Sequence, residues 1–305
     1  MELYYKGVDI YDQISVCKCM YESYAESKSD LLKVVFNDVD DEWDSWKPQK
    51  GDTIRVVLGL FDSGDMNVTD VKPSNGQMTI YASSTPTSKN NKSNKSWSNV
   101  HFKQLCQEIA DRHNLACVFY GIEDYIYDYV NQENKEDFKF LAERCVIEGC
   151  AFLVFNGKLI VYNESYIESQ ATNYNLEIPN TVPFDYRDSS DQAYGTCVIK
   201  NGSLTGTYES GSSDKTLNKI VKMRIASQAE ANRFAKNMLR FENKKMASGV
   251  CESGVFLPGY AAGSIVNLQT SGVNSWDCKV FFTYVLHDLV KAKTTFRFRK
   301  TLEGY

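Results

Sequence analysis

Histidine is nearly absent, with three in 305 residues. Zinc and most transition-metal sites draw on imidazole or on cysteines at set spacings. The nine cysteines are odd in number and show no framework spacing beyond Cys17-x-Cys19, a pair that strand alternation would turn to one face. No metal centre or cofactor is expected, and reduced thiols in a cytoplasmic folding environment are the simpler reading. The apolar stretches are too short to span a bilayer, and no apolar run follows Glu2 as a signal peptide requires. Membrane insertion is not expected. Neither G-x-x-x-x-G-K-[ST] nor G-x-G-x-x-G occurs, and the Gly-Ser segment 202–213 lacks their spacing. A G-x-S-x-G nucleophile turn is missing as well.

What is present is a globular balance: 43% hydrophobic and 24% charged residues, enough for sizeable cores in about two domains. The 19 Tyr, 16 Phe and 4 Trp favour strands and contact surfaces. Charge is uneven. Residues 1–83 hold 8 Lys and Arg against 15 Asp and Glu, whereas residues 216–305 hold 14 against 6. Either two solvated surfaces carry opposite signs, or the acidic end of one copy meets the basic end of the next, a heterologous contact that closes into a ring.

Residues 1–83 read as a β-domain. Ile54, Val56, Leu58 and Leu60 share one face of a period-2 run, as do Met78, Ile80 and Ala82, with turns between. Residues 84–97 are polar and read as a linker. Residues 98–175 read as a small α/β unit. Its first helix starts near Ser98 with the stripe Phe102, Leu105, Cys106, Ile109 and Ala110, and a strand follows over Ala116–Tyr120. A second helix after Asn134 takes Asp137 for a weak capping box, buries Phe138, Leu141, Cys145 and Ile147, and ends at Gly149. Asn156-Gly157 then joins two strands in a hairpin. Residues 176–215 and 246–305 are assigned to a second β-domain. Residues 216–245 are a helical insertion opened by the Ser227-x-x-Glu230 box. The two β-rich ends echo one another, as an internal repeat would or as barrels converging on one strand pattern would. Gly51-Asp52-Thr53-Ile54-Arg55-Val56 resembles Gly263-Ser264-Ile265-Val266-Asn267-Leu268. Thr69-Asp70-Val71 matches Thr283-Tyr284-Val285, and a final alternating strand follows each.

Four constellations bear on chemistry. Asp38, Asp40, Asp41, Glu42 and Asp44 flank Trp43 and Trp46, as a cell-wall glycosidase or peptidase, or a carbohydrate- or peptide-binding β-module, would have them. Solvated loop charge, with the tryptophans pinning the loop to a core, is the plainer reading. His287-Asp288 lies on a late strand without a nucleophile beside it. His101 and His113 flank the first helix and are placed at its surface. Lys291, Lys293, Arg297, Arg299 and Lys300 form a modest basic stripe that more simply covers one face of a strand than reads nucleic acid. No catalytic, cofactor-binding or metal residue is assigned, and no enzyme is expected.

The order of motifs resembles a known family. Gln132-x-Asn134-x-x-Asp137-Phe138-x-Phe140-Leu141-x-x-Arg144, ending in Glu148-Gly149, resembles a signature of phage tail hub proteins. So do Ser227-x-x-Glu230-Ala231, Leu257-Pro258-Gly259, Val285-x-His287, the terminal Gly304-Tyr305 and the early Trp46-x-Pro48-x-x-Gly51-Asp52-x-Ile54. From about residue 40 onward the chain is similar to the late control protein D family, which includes baseplate hubs of contractile phages and the hub part of the type VI secretion spike protein VgrG. Tyr260-Ala261-Ala262-Gly263 departs from the pattern and blurs where the next strand begins.

The resemblance implies an α+β, mainly β chain with two similar antiparallel β-barrel tube domains. It also implies a homotrimer whose six barrels form a pseudo-sixfold ring between a sixfold tail tube and a threefold spike. The partners implied are further copies of itself, the tail tube or a tube-initiator protein, the central spike, and baseplate wedge and tape-measure proteins. The place implied is the host cytoplasm during assembly and then the particle. The spike is expected to be a separate polypeptide.

Overall fold

The computed structural model describes residues 1–39, 43, 46–86, 91–172 and 174–305. The first period-2 segments build β1 (Glu2–Tyr5), β2 (Val8–Asp9), β3 (Ser15–Tyr24), β5 (Leu31–Asn37), β6 (Thr53–Leu58), β7 (Phe61–Asp62), β8 (Met66–Ser74) and β9 (Gln77–Ser83), while the short β4 (Lys28–Ser29) leaves them to pair elsewhere. They pair antiparallel in the order β3-β5-β9-β8-β6-β1. Alternate residues, among them Val34, Phe36, Ile54, Val56, Val68 and Ile80, point into one apolar core.

The middle of the chain switches period. β10 (Lys92–His101) leads into α1 (Phe102–Arg112), then β11 (Ala116–Tyr120), β12 (Ile126–Glu136), α2 (Asp137–Ile147), β13 (Cys150–Phe155), β14 (Lys158–Asn163) and the short α3 (Glu164–Ser169). The apolar stripe of α1 is fully buried. Asn156 and Gly157 both adopt positive φ in the β13–β14 turn, the geometry a two-residue hairpin needs.

The chain returns to the large sheet with β15 (Asn175–Ile178) and β16 (Phe184–Asp188), then leaves it for β17 (Thr196–Asn201), β18 (Leu204–Glu209), β19 (Thr216–Ile220) and the long α4 (Gln228–Asn243). Ser227 caps α4 by accepting from Glu230 N at 3.2 Å, and Glu230 Oε2 reaches back to Ala226 N. β20 (Ala247–Ser253), β21 (Ile265–Thr270), β22 (Lys279–Asp288) and β23 (Lys293–Lys300) extend the same 14-stranded sheet into a second barrel-like unit in the order β16-β20-β23-β22-β21-β15, whose end strands β16 and β15 are not paired to each other among the described residues. Its core holds Val266, Leu268, Phe282, Val285, Phe296 and Phe298.

The two barrels share several of their bonds. Gly51 N donates to Val68 O and Val68 N to Asp52 O, each at 2.8 Å; Gly263 N donates to Phe282 O at 2.8 Å and Phe282 N to Ser264 O at 3.0 Å. Both glycines stand at φ near +90° (+94° and +89°), where a side chain is strained. The ladder then slips at the same place, at Thr69 in β8 and at Thr283 in β22. Each threonine hydroxyl donates across the bulge, to Tyr81 O at 3.1 Å and to Arg297 O at 3.2 Å. The match is not complete: β1 runs antiparallel to β6, whereas β15 runs parallel to β21.

Several expectations need correction. Within the segment read as a linker, Lys92–Trp97 belongs to β10 and pairs with β12, because the ladder needs backbone partners rather than apolar side chains. The first helix therefore starts at Phe102 with His101 as N-cap. The capping box at Asn134 does not form: Asn134 is still in β12, Glu136 is the N-cap, and Asp137 is buried. Residues 176–215 do not all enter the second barrel. β17, β18 and β19 make their own three-stranded sheet, and Cys197, Ile199 and Leu217 join the core under α2 and α4. Cys17 and Cys19 do not share a face, because the ladder slips between Val16 and Lys18; Cys17 is exposed and Cys19 buried.

Candidate assembly surface

The bulge at Thr283 does more than mark the repeat. Before it, β22 pairs with β21 of its own barrel; after it, Tyr284–Asp288 pair with Tyr24–Met20 of β3 in the other barrel. Ala25 N to Thr283 O (3.1 Å) and Leu289 N to Cys19 O (2.9 Å) close the two ends of this joint. Leu289 and Phe256, from the second barrel, pack into the core of the first.

His287 sits in the middle of the joint. Its ring stacks on Tyr21 at 6.5 Å and meets Phe61 edge-on at 5.2 Å. Burial pushes its pKa down to about 4, with the Tyr260 carbonyl pulling the other way. The ring is thus neutral near pH 7, with Nε2–H donating to Tyr260 O at 3.0 Å and Nδ1 facing the Thr294 hydroxyl at 3.1 Å. Beside it, Asp30 accepts from Tyr21 Oη at 2.6 Å and from Tyr24 N at 2.8 Å; burial raises its pKa to about 6. Both groups are spent on packing. Asp288, next to His287 in sequence, accepts from Lys291 N instead, so the pair forms no catalytic dyad.

A second junction ties the barrels to the α/β unit. Glu26 lies in the tight turn after β3, Glu164 and Glu168 on α3, Arg240 and Lys244 at the end of α4, and Arg299 on β23. Arg299 reaches Glu26 at 3.2 Å and Glu168 at 2.7 Å. Lys244 reaches Glu164 at 2.6 Å and Glu26 at 3.1 Å, and Arg240 reaches Glu168 at 2.6 Å. Five of these six residues are buried; only Glu26 is partly exposed. Burial opposes ionisation of Glu26, but Lys244 and Arg299 outweigh it and hold the carboxyl below its usual range; at Glu168 Arg299 and Arg240 do the same. Three carboxylates and three cations leave the cluster neutral, the condition under which buried charge is tolerated. Under it, Ala25, Ala151, Tyr162, Ala262 and Phe281 form a small apolar core shared by all three units.

The remaining candidate residues do not converge. Asp40, Asp41, Glu42 and Asp44 lie outside the described residues. Asp38 accepts from Trp43 N at 3.1 Å. Trp43 is 1% exposed, wedged against Phe36 at 4.4 Å and Trp46 at 4.9 Å. It anchors its segment to the first core and offers no platform for a sugar. His101 is exposed and faces Asp124 at 3.1 Å. His113 is buried, contrary to its expected surface position, with Nε2 3.2 Å from Asp137 Oδ2. Arg112 and Gln132 also donate to Asp137, so the residue read as a cap is the hub of a polar knot between α1, β12 and α2. Of the basic stripe, Arg299 is in the buried cluster and Lys293 and Lys300 are paired with Glu252 and Asp188. No group of three or more His, Cys, Asp or Glu is arranged to hold a metal ion, and no helix is long and apolar enough to cross a membrane, among the described residues.

Two spacings in the sequence carry a signal for this junction. Glu164 and Glu168 are four residues apart, as are Arg240 and Lys244. Like charges at that spacing repel on a lone helix, so each pair asks for the other.

No protein-family model matches this sequence, and no curated protein does. Solved structures do. A tail protein from Neisseria meningitidis MC58 superposes with a TM-score of 0.75 at 12% identity, over 98% of this chain and 95% of that one. The 43 kDa tail protein of prophage MuSo2 from Shewanella oneidensis gives 0.75 at 13%, over 98% and 97%. The chain has the fold of these tail proteins. The E. coli c3393 protein, a type VI secretion component described as similar to T4 bacteriophage tail proteins, gives 0.67 at 15%, over 100% of this chain and 78% of its own. Identities this low carry the fold and no individual residue role.

Proposed function

We propose that this chain is the structural hub of a contractile, phage-like tail, a member of the late control protein D group that works without enzymatic activity. Three copies close into a ring of six barrels, which adapts a sixfold tube to a threefold spike. The observation that carries this is the repeat itself: two barrels with the same strand order, the same bulge and the same threonine bridge, joined through a strand pair that a contact between copies would repeat. A hub must offer nearly identical contacts around its circumference, and a duplicated barrel does so with half as many chains. The tube, the spike, and the wedge and tape-measure proteins are its partners; its place is the host cytoplasm during assembly and then the particle.

Light scattering on the purified protein tests this. A species of about 104 kDa, three chains of 34.7 kDa, supports the hub; a monodisperse monomer at high concentration and low salt opposes it. The unlike charge of residues 1–83 and 216–305 steers the encounter, so raising salt slows trimer formation. A zymogram on peptidoglycan is expected to stay blank, and clearing lost in Asp41→Asn would favour an enzyme instead.

A further inference from the structure

The joint inside the chain has a second, unfilled copy. In β22 the residues after the bulge, Tyr284–Asp288, carry β23 on one side and β3 of the other barrel on the opposite side. The matching residues after the bulge in β8 are Asp70–Ser74. They carry β9 on one side, while the pairing of β8 with β6 ends at Asn67. Among the described residues their outer edge has no strand partner. The counterpart of β3 is found through the ladders. Val34 pairs with Ile80 and Cys19; Cys251 pairs with Phe296 and Phe184. Ile80 and Phe296 are equivalent, since they face Val71 and Val285 two residues past the two bulges. Phe184 of β16 therefore corresponds to Cys19 of β3, and Tyr186 to Tyr21. Among the described residues β16 also ends the sheet, with no strand on its outer edge.

We propose, resting on the ring reading above, that a second copy of this chain fills the gap: the outer edge of β8 in one copy pairs antiparallel with the outer edge of β16 in the next. Carrying over the internal register sets Val71 opposite Asp188, Lys72 opposite Arg187, and Pro73 opposite Tyr186.

Three further observations agree. Backbone polarity fits on both strands. Ser189 N donates to Met246 O and Glu252 N to Pro183 O, so the odd-numbered residues of β16 face β20 and Phe184, Tyr186 and Asp188 face outward. Pro73, which has no N–H, stands at the position of His287, whose backbone faces the neighbouring barrel; it is therefore tolerated beside β9 and costs the seam only one donor. Apolar groups lie bare along the two edges. Phe184 is 41% exposed, and Val39, 78% exposed, stands three residues past Phe36 as Phe256 stands three past Ser253. In the internal joint it is Phe256 that packs into the neighbouring core. Finally, an open groove of about 590 Å³ runs beside the β8 edge, lined by Val71, Pro73, Met78, Trp43 and Lys47.

Cysteine cross-linking of the full chain tests the register. Lys72 and Arg187 are both exposed, so Lys72→Cys and Arg187→Cys leave the fold intact, which circular dichroism verifies. They fall at a non-hydrogen-bonded position, where Cα atoms come within about 4.5 Å and a disulfide closes. The expected result is disulfide-linked dimers and trimers on non-reducing gels with the double variant, and neither with the single variants. A trimer in solution that cross-links only when Lys72→Cys is combined with Asp185→Cys overturns the register. A trimer that cross-links with neither pair overturns the seam and leaves the ring standing. A monomer overturns both.

Discussion

Arg299→Met is the most informative single substitution in this molecule. The guanidinium is 2% exposed and touches Glu26 and Glu168, with Glu164 at 3.9 Å. Methionine keeps much of the volume over Phe281 but leaves three carboxylates facing two cations. Breaking a buried ion cluster from one side costs about 3–5 kcal/mol, because the orphaned charge has no water to return to. For a stability of about 5–15 kcal/mol that is a large share. With a urea slope of about 3 kcal/mol per molar, the midpoint falls by about 1 M or more at pH 7, read by far-ultraviolet circular dichroism. The compensating change is Glu168→Gln, which restores neutrality and keeps an acceptor for Leu302 N, now 2.8 Å away. In the double variant the two losses should fall short of their sum by about 1–3 kcal/mol. A loss below about 1 kcal/mol for Arg299→Met, or strict additivity in the pair, would refute the view that this cluster is balanced charge under burial. Because its members come from both barrels, α3 and α4, the same variant should also loosen the α/β unit from the barrels, seen as a split transition.

Other outcomes are equally specific. Asp30, raised from 3.8 to about 6, contributes stability that is full below pH 4 and lost as pH rises through 6; the displacement corresponds to about 3 kcal/mol. His287, lowered from 6.5 to about 4, does the reverse, losing stability as pH falls from 6.5 to 4. The wild type should thus show a shallow profile from pH 4 to 6, Asp30→Asn a profile rising with pH, and His287→Gln one falling with pH; unchanged slopes in both would contradict the burial of these groups. Among the nine thiols only Cys17 is exposed, and burial raises the Cys19 thiol to about 12, so a thiol reagent should label one cysteine quickly in the native protein. Ser227→Ala should cost about 1 kcal/mol in thermal or urea melts by removing the cap of α4.

Periodicity made the regular parts of this fold readable. The stripe of α1, the Asn156-Gly157 hairpin and the Ser227 box are local signals, and each is decided by neighbours within a few residues. The Thr-x-Val echo was also legible, although its meaning as a bulge needs the ladder to be seen. What stayed hidden depends on distant partners. Lys92–Ser96 has the composition of a loop and becomes a strand because β12 stands beside it. Asp137 looked like a cap and proved to be the centre of a knot joining three elements. Arg299 looked like one of several surface charges on an alternating strand. Its outward face is in fact covered by α3 and α4, whose like-charge pairs point to one another in the sequence but not to β23. The assembly edges are hidden for the same reason, since an unpaired strand edge is a property of the sheet and not of the residues in it.

The central claim is that two barrels of one design repeat around a common axis. Electron-microscopic top views of the purified oligomer test it most directly. The account predicts a ring of six similar lobes around an open centre, with three outward projections from the α/β units. Lone particles, or pairs related by a twofold axis, would contradict it.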